Sequence, residues 1–283
     1  MSIVLLTGAT GFVGRQLLKA LQERGYQIRL VIREGSQSRV SNMKGIESIV
    51  TTKDLFAESS IWWKKSCDGV DTVIHSAWYA EPGQYLQSDK NLDCLIGTMN
   101  LAKGAASSGI KKFVGIGTCF EYKMSDKPLT VDSPLEPLSP YAAAKAASFI
   151  FLSEYLRPKN IDFLWCRLFY LYGEKEDARR LVPHIRERIL NNQPVELTSG
   201  NQIRDFLDVS VAGLMISHAA FSGLQGSINV CSGIPTSVRQ LAENIADEYG
   251  RRDLLKFGAR PDNLVDPSYV VGVRNFHQPK FKK

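Results

Sequence analysis

The sequence predicts an α/β fold in which a doubly wound parallel sheet is followed by a smaller C-terminal α/β region. Short β-branched apolar runs alternate with helical stretches, which is the pattern of parallel strands joined by crossover helices. The runs are Ile3–Leu6, Ile28–Ile32, Asp71–His75, Lys112–Ile116 and Asp162–Cys166. Apolar residues at helical spacing from Val13 to Leu21, followed by Gly25, complete the first strand–helix–strand unit.

The regular alternation of strands and helices ends near residue 166, which divides the chain into two expected parts. Residues 1–166 contain the doubly wound sheet, and residues 167–283 form the smaller region, with some segments returning to the sheet. A charged stretch at 173–180 precedes predicted helices near 182–191 and 237–249.

Composition indicates a globular protein of a reducing compartment. With 283 residues, 44% of them hydrophobic, the chain can bury a sizeable core. Its five cysteines are scattered without paired spacing, which argues against a zinc site or a disulfide framework. No basic leader precedes the first strand, and no apolar run approaches the roughly 18 residues needed to span a bilayer. We therefore expect a cytoplasmic protein with no metal and no membrane contact.

The net charge of +6 and the pI near 9.0 require anionic partners to be considered. The basic residues are dispersed apart from the tail Lys280–Lys283, and no aromatic stacking motif accompanies them. Nucleic acid is therefore not the expected partner, and anionic small molecules fit better.

A glycine-rich turn joins the first strand to the first helix. Glycines at this place let the backbone approach a pyrophosphate, which then meets the free N–H groups of the helix. The candidate cofactor residues of the turn are Gly8, Thr10, Gly11, Phe12, Val13 and Gly14. A tight turn that uses glycine only for its geometry is the alternative. The position of the turn favours a Rossmann-type dinucleotide site.

The end of the second strand indicates which dinucleotide is bound. Enzymes that select NAD usually carry a carboxylate here, whereas this chain has Arg33, with Arg39 further on. A guanidinium favours the 2′-phosphate of NADP(H), although a solvated strand-end arginine is the alternative. Asp54 and Leu55, after the third strand, are expected beside the adenine ring.

Tyr141 and Lys145 form a candidate acid–base pair. Their four-residue separation places the phenol and the ammonium on one helix face. A phenol, with a pKa of about 10, is a poor acid–base catalyst at neutral pH, and a nearby ammonium is expected to lower that pKa. Thr118, at the end of the strand that begins at Lys112, supplies a hydroxyl to hold the substrate oxygen.

Together these motifs resemble the extended short-chain dehydrogenase/reductase family, in which nucleotide-sugar epimerases, dehydratases and reductases share one scaffold. The resemblance covers nearly the whole chain. Besides the glycine turn and the Tyr141/Lys145 pair, it rests on Asp71–Ala77, Asn91, Gly97–Thr98, Arg167–Gly173, Arg204–Leu207 and Asn229–Gly233.

The resemblance implies roles for further residues and for the two parts of the chain. Residues 1–166 become an NADP-binding domain and residues 167–283 mainly a sugar-nucleotide-binding region. Thr118, Tyr141 and Lys145 form the catalytic group. Ser76, Ala77, Trp78 and Phe169 join the cofactor site, while Tyr170, Arg204 and Arg260 join the substrate site, with Arg204 gripping the diphosphate.

Departures from the family pattern favour the reductases among the members of this family. Thr118 is followed by Cys119-Phe120, whereas 4,6-dehydratases carry an Asp-Glu pair there. Tyr170 replaces the asparagine of many epimerases, and Arg33 favours exchangeable NADPH. The stretch 193–206 is similar to the reductases that make CDP-paratose or CDP-abequose.

We therefore expect an NADPH-dependent nucleotide-sugar 4-ketoreductase of deoxysugar biosynthesis. A nucleotide-sugar 4-epimerase and a non-catalytic NADP-binding regulator are the alternatives. A homodimer is expected through two apolar helices near 91–108 and 141–156, with packing against the chain's own sheet as the alternative. The residues that indicate it are Leu92, Leu95, Met99, Ala102, Ala143, Ala147, Ile150 and Phe151.

Overall fold

The computed structural model describes residues 2–40, 44–263 and 266–277. The strands are β1 (Ile3–Thr7), β2 (Gln27–Arg33), β3 (Ile46–Thr52), β4 (Thr72–His75), β5 (Lys112–Thr118), β6 (Asp162–Leu168), β7 (Tyr170–Tyr172), β8 (Val195–Glu196), β9 (Ile203–Asp208), β10 (Gly226–Val230), β11 (Pro235–Ser237), β12 (Leu255–Lys256) and β13 (Tyr269–Val270). The α-helices are α1 (Phe12–Glu23), α2 (Ser60–Ser66), α3 (Lys90–Ser107), α4 (Pro140–Leu156), α5 (Leu181–Leu190), α6 (Val209–Ala220) and α7 (Val238–Asp247). The basic tail Lys280–Lys283 lies outside the described residues.

Seven parallel strands form the central sheet, in the order β10-β6-β5-β4-β1-β2-β3. This arrangement confirms the predicted doubly wound parallel sheet. The chain order of the strands reverses between β1 and β4, which pair directly. In sheets of this kind a crevice opens at such a switch point, beyond the carboxyl ends of the strands.

Helices cover both faces of the sheet, which explains why its strands are apolar on both sides. Successive side chains of a strand point to opposite faces. Leu6 of β1 packs in a core with residues of α1 and α6, such as Leu17 and Met215. Leu5 belongs to a second core with residues of α2 and α3, such as Trp63 and Leu101.

The chain beyond residue 167 adds a strand to this sheet and also forms a smaller region with its own apolar core. Its β10 pairs with β6 at the edge of the sheet. Its α6 packs on α1 so closely that a Cβ at Gly213 would lie 2.8 Å from the Gln16 backbone. The predicted helices near 182–191 and 237–249 are confirmed as α5 and α7, which share an apolar core around Ile185 and Ile245.

Three simpler properties of the chain bear on its function. Within the described ranges, no helix combines the length and the apolar character that a membrane crossing requires. All five cysteines are buried and free of disulfides. Among the residues described, no three His, Cys, Asp or Glu side chains gather as metal ligands would.

Candidate active site

A cleft of about 1250 Å³ opens at the carboxyl ends of the central strands and is lined from both parts of the chain. Most of the site residues predicted from the sequence lie along it. They are Gly8, Gly11, Phe12, Val13, Gly14, Arg33, Asp54, Ser76, Trp78, Thr118, Tyr141, Lys145, Phe169, Tyr170 and Arg204.

Four predicted residues, Thr10, Leu55, Ala77 and Arg260, are not part of that lining. Ala77 is buried behind the cleft, and Leu55 packs against the core beneath α2 and α3. Arg260 is exposed in the segment after β12, where its backbone N–H donates to the Leu197 carbonyl at 3.0 Å. Arg260 is therefore not among the residues that line the cleft, and its substrate contact stays a prediction.

The glycine turn after β1 is closely fitted to its surroundings. Gly8 has a φ of +74°, and a Cβ there would lie 2.6 Å from the Ala77 backbone nitrogen. A Cβ at Gly14 would lie only 1.9 Å from the Gly8 carbonyl oxygen. Glycine is therefore required at both positions, because the ends of β1 and β4 and the start of α1 approach each other here.

The N-terminus of α1 presents unpaired donors to the cleft. Gly11 is its N-cap, so no side chain caps the first N–H groups, and the first turn contains no acidic residue. These donors and the positive end of the helix dipole favour an anion. The residues present thus fit the pyrophosphate of a dinucleotide.

A buried histidine fixes the strands behind this turn. Burial lowers the pKa of His75 to about 3, so its ring is neutral. Its Nε2 lies 2.9 Å from the Thr98 hydroxyl, which itself donates to the Cys94 carbonyl. Nε2 is therefore the donor, and Nδ1 accepts from the Thr7 hydroxyl at 2.8 Å.

Two basic residues line the cleft at the ends of β2 and β3. Arg33 ends β2 in register with Thr52 of β3, and Lys53 lines the cleft next to it. The Asp54 carboxylate accepts the Phe56 backbone N–H at 3.0 Å. Arg39 lies in a short 3₁₀ turn and is not among the lining residues.

The three predicted catalytic residues all line the cleft. Thr118 ends β5, whereas Tyr141 and Lys145 lie on consecutive turns of α4. Helix α4 begins here because the Ser139 side chain accepts the Ala142 N–H and Pro140 occupies the first turn. The phenol and the ammonium thus project from one face of a helix whose start is fixed.

Burial dominates the acid–base properties of this group. It raises the pKa of Tyr141, and the Thr118 hydroxyl opposes that shift. Burial lowers the pKa of Lys145 to about 7. The Lys145 ammonium donates to the Ile116 carbonyl at 2.6 Å and lies 3.7 Å from the Trp78 ring centroid. Lys145 is not among the main influences on the Tyr141 pKa, so the expected lowering of the phenol's pKa by Lys145 does not appear in this arrangement and burial raises that pKa instead.

Sequence patterns alone missed Tyr85, Arg180 and Glu176, which also line the cleft. The Tyr85 ring stands edge-on to the Tyr141 ring, with centroids 4.8 Å apart. The Arg180 guanidinium lies 5.6 Å from the Tyr85 ring centroid. Burial raises the pKa of Glu176 to about 7. Glu176 and Arg180 belong to the charged stretch at 173–180, but no motif assigns that stretch to the cleft, and the fold brings it to Tyr85 from a distant position.

Arg204 lies at the substrate side of the cleft. Its side chain is almost fully buried, and Nη2 contacts the Asp266 carboxylate at 2.6 Å. The guanidinium also lies 5.2 Å from the Tyr170 ring centroid. The predicted phosphate-binding arginine is therefore in the cleft, with its charge paired to an acidic residue there.

Known proteins with similar sequences and folds share this architecture. Residues 4–230 match the model of the NAD dependent epimerase/dehydratase family. The dTDP-6-deoxy-L-talose 4-dehydrogenase (NAD(+)) of Aggregatibacter actinomycetemcomitans is 26% identical, covering 96% of this chain and 99% of that protein. The CDP-abequose synthase of Salmonella muenchen is 24% identical, covering 93% and 87%.

Among solved structures, the UDP-N-acetylglucosamine 4-epimerase of Methanobrevibacter ruminantium in complex with UDP-N-acetylmuramic acid superposes with a TM-score of 0.83. It is 25% identical, and the match covers 99% of this chain and 92% of that one. The predicted resemblance is thereby confirmed. The chain belongs to the NAD dependent epimerase/dehydratase family, within the extended short-chain dehydrogenases/reductases, and is an NAD(P)-dependent enzyme.

Proposed function

We propose that this protein is a nucleotide-sugar 4-ketoreductase that uses NADPH to reduce the C4 ketone of a nucleotide-linked deoxyhexose. The observation that carries the proposal is that Thr118, Tyr141 and Lys145 line one cleft with the glycine turn. The free cysteines support a reducing, cytoplasmic location.

The chain's own residues have distinct parts in this reduction. Bound NADPH supplies the hydride that reduces the ketone. Tyr141 donates its phenolic proton to the resulting alkoxide, and the burial that raises its pKa keeps the phenol protonated at neutral pH. The Thr118 hydroxyl hydrogen-bonds the same oxygen. Lys145 binds the nicotinamide ribose, and Arg204 binds the substrate diphosphate.

The similar proteins support chemistry at C4 of the sugar. One is named as a 4-dehydrogenase of a dTDP-linked 6-deoxy sugar, which is the reverse of a 4-keto reduction. Another is named as a CDP-abequose synthase. The alternative is a 4-epimerase, because the UDP-glucose 4-epimerase of Mycolicibacterium smegmatis is also similar.

The two functions differ in what happens to the cofactor. A reductase consumes NADPH in proportion to a supplied nucleotide-linked 4-keto-6-deoxyhexose, as measured by the fall in NADPH absorbance. An epimerase interconverts two sugar nucleotides with no net consumption and retains its cofactor through purification. Interconversion without NADPH consumption would reject the reductase in favour of the epimerase.

Replacing Arg33 with serine is expected to weaken NADPH binding about tenfold to a hundredfold and to leave NADH binding unchanged. The reason is the loss of a charge-assisted hydrogen bond to the 2′-phosphate, worth about 1.5–3 kcal/mol. Quenching of intrinsic fluorescence gives both affinities. Arg39→Ser is the matched control, since Arg39 does not line the cleft. Equal losses for the two cofactors would contradict the assignment of Arg33.

We also propose that α3 and α4 form a homodimer interface. Leu92 is 61% exposed, Ile150 55% and Phe151 50%, although the predicted Ala102 is buried within its own chain. Replacing Ile150 and Phe151 with aspartate is expected to halve the mass seen by sedimentation, because buried carboxylates oppose association. The control is Ile234→Asp, which changes an equally exposed apolar residue elsewhere. An unchanged mass in the double variant would reject this interface.

A further inference from the structure

A buried carboxylate lies directly beneath the predicted catalytic threonine. Glu121 is in the 3₁₀ turn that follows β5, and its side chain is fully buried. One oxygen, Oε1, accepts the Thr118 backbone N–H at 2.8 Å and the Trp165 indole N–H at 3.0 Å. The other, Oε2, accepts from Arg167 Nε at 2.7 Å.

Arg167, the ion-pair partner of this carboxylate, is equally buried, and removing both charges from water costs free energy. Arg167 is 1% exposed, and its Nη1 donates to the Tyr122 hydroxyl at 3.0 Å. That hydroxyl donates to Asn229 at 2.7 Å, while Arg167 Nη2 is buried without a hydrogen-bond partner among the described residues. Because apolar residues often replace a buried ion pair without loss of stability, stability alone does not explain these charges.

Strand β5 provides the space that the carboxylate occupies. A Cβ at Gly117 would lie 2.4 Å from Glu121 Oε1 and 2.2 Å from Trp165 Nε1. A Cβ at Gly115 would lie 2.3 Å from the same tryptophan ring. The two glycines therefore let the indole and the carboxylate approach the strand that carries Thr118.

Glu121 acts on the catalytic group through both geometry and charge. It forms a capping box with Thr118, whose hydroxyl accepts the Phe120 N–H at 3.3 Å. Its negative charge raises the pKa of Lys145 and adds to the raised pKa of Tyr141.

We propose that Glu121 is a positioning residue that fixes Thr118 toward Tyr141 through its hydrogen bond to the Thr118 backbone and places a negative charge within the acid–base group. This inference rests on the proposed function, because it assigns Glu121 to the same acid–base group. Arg167 and Trp165 would hold the carboxylate in place.

Within the described ranges, the other titratable groups that interact with Lys145 and Tyr141 are Cys94, His75, Cys119 and Tyr85, which are uncharged at neutral pH. Burial raises the pKa of Cys94 to about 11 and keeps His75 neutral by lowering its pKa to about 3. Burial also raises the pKa values of Cys119 and Tyr85. Removing the Glu121 charge is therefore the direct way to change the electrostatics of the site.

The test is the pH dependence of kcat for ketone reduction by Glu121→Gln. Loss of the negative charge lowers the pKa values of both Lys145 and Tyr141, so both effects act in one direction. The alkaline limb of the profile is expected to move to lower pH by about one pH unit, with kcat about 10–100-fold lower at its optimum.

Tyr122→Phe is the matched control, because it removes a buried hydroxyl bonded to Arg167 and Asn229 but leaves the Glu121–Thr118 contact. A positioning role predicts an unmoved alkaline limb in this variant. If Glu121→Gln and Tyr122→Phe lose activity equally with unmoved limbs, Glu121 is only structural and the inference is overturned.

A second variant keeps the test decisive if Glu121→Gln folds poorly. Glu121→Gln combined with Arg167→Met removes both buried charges, and we expect it to fold with the alkaline limb displaced in the same direction but by less, because the opposite charge of Arg167 is removed as well. A limb at the wild-type position would overturn the inference.

One measurement does not depend on turnover. Amide hydrogen exchange at Thr118 should accelerate about tenfold or more in Glu121→Gln, because its acceptor is weakened. If wild type fails to reduce any sugar nucleotide, the proposed function fails, while this readout still tests Glu121. Unchanged exchange would overturn the inference alone.

Discussion

Tyr141→Phe is expected to lower kcat for ketone reduction by about 10²–10⁴-fold, the usual contribution of a positioned general acid. The half-buried Tyr141 lines the cleft with its phenol beside the Thr118 hydroxyl, and the change removes only the oxygen that carries the proton. The ring remains, so its edge-on contact with Tyr85 is preserved. Turnover of a nucleotide-linked 4-keto-6-deoxyhexose with NADPH measures the effect.

The control for this variant separates catalysis from binding. NADPH affinity, measured by fluorescence, should stay within about twofold of wild type, since the hydride donor does not need the phenol to bind. Tyr85→Phe, which changes the neighbouring phenol, should cost far less activity. Full activity in Tyr141→Phe would exclude this residue as the acid, whatever the effect at Tyr85.

Gly8→Ala is expected to produce the largest loss of cofactor binding and of stability. The new Cβ would lie 2.6 Å from the Ala77 nitrogen and 2.8 Å from the Ser76 carbonyl carbon, which are backbone atoms at the end of β4. Separating β1 from β4 deforms the switch point, and the positive φ adds strain of its own. Together we expect a loss of about 2–6 kcal/mol in the free energy of unfolding.

Gly109→Ala isolates the contribution of the close approach at Gly8. Gly109 has a similar φ of +83°, but a Cβ there would meet no atom within 4 Å. We expect this control to cost about 1–2 kcal/mol and to bind NADPH normally. Thermal unfolding and NADPH titration of both variants measure the difference. Equal destabilisation, with cofactor binding intact in both, would show that the approach of β4 does not constrain Gly8.

Much of the fold could be predicted because it depends on local patterns. Apolar strand runs, helical spacing and the glycine turn are each encoded within a few residues, and the parallel sheet confirms them. The same holds for Tyr141 and Lys145, whose spacing alone places them on one face of α4. The smaller region gave weaker signals, since its strands, such as β8 and β12, are only two residues long.

The rest of the site depends on contacts that no local pattern records. Tyr85 meets Tyr141 across 56 positions of sequence, and Asp266 meets Arg204 across 62. The properties of Lys145 illustrate a second limit. Spacing placed Lys145 on the same helix as Tyr141 but could not supply the burial that governs the Lys145 pKa. The residues next to Glu121 in the sequence do not indicate that Arg167 is its buried partner.

The close packing of α6 on α1 makes the two halves of this chain unsuitable as interchangeable modules. The first half carries Gln16, whereas Gly213, which leaves room for it, lies nearly two hundred positions later. A chimera that grafts a foreign substrate region at the end of β6 would also import a foreign α6 and edge strand. Swapping specificity by recombination therefore requires that α6 stays with the original α1 and β10 with the original β6, so a workable crossover has to retain the segment 209–230 of the later sequence.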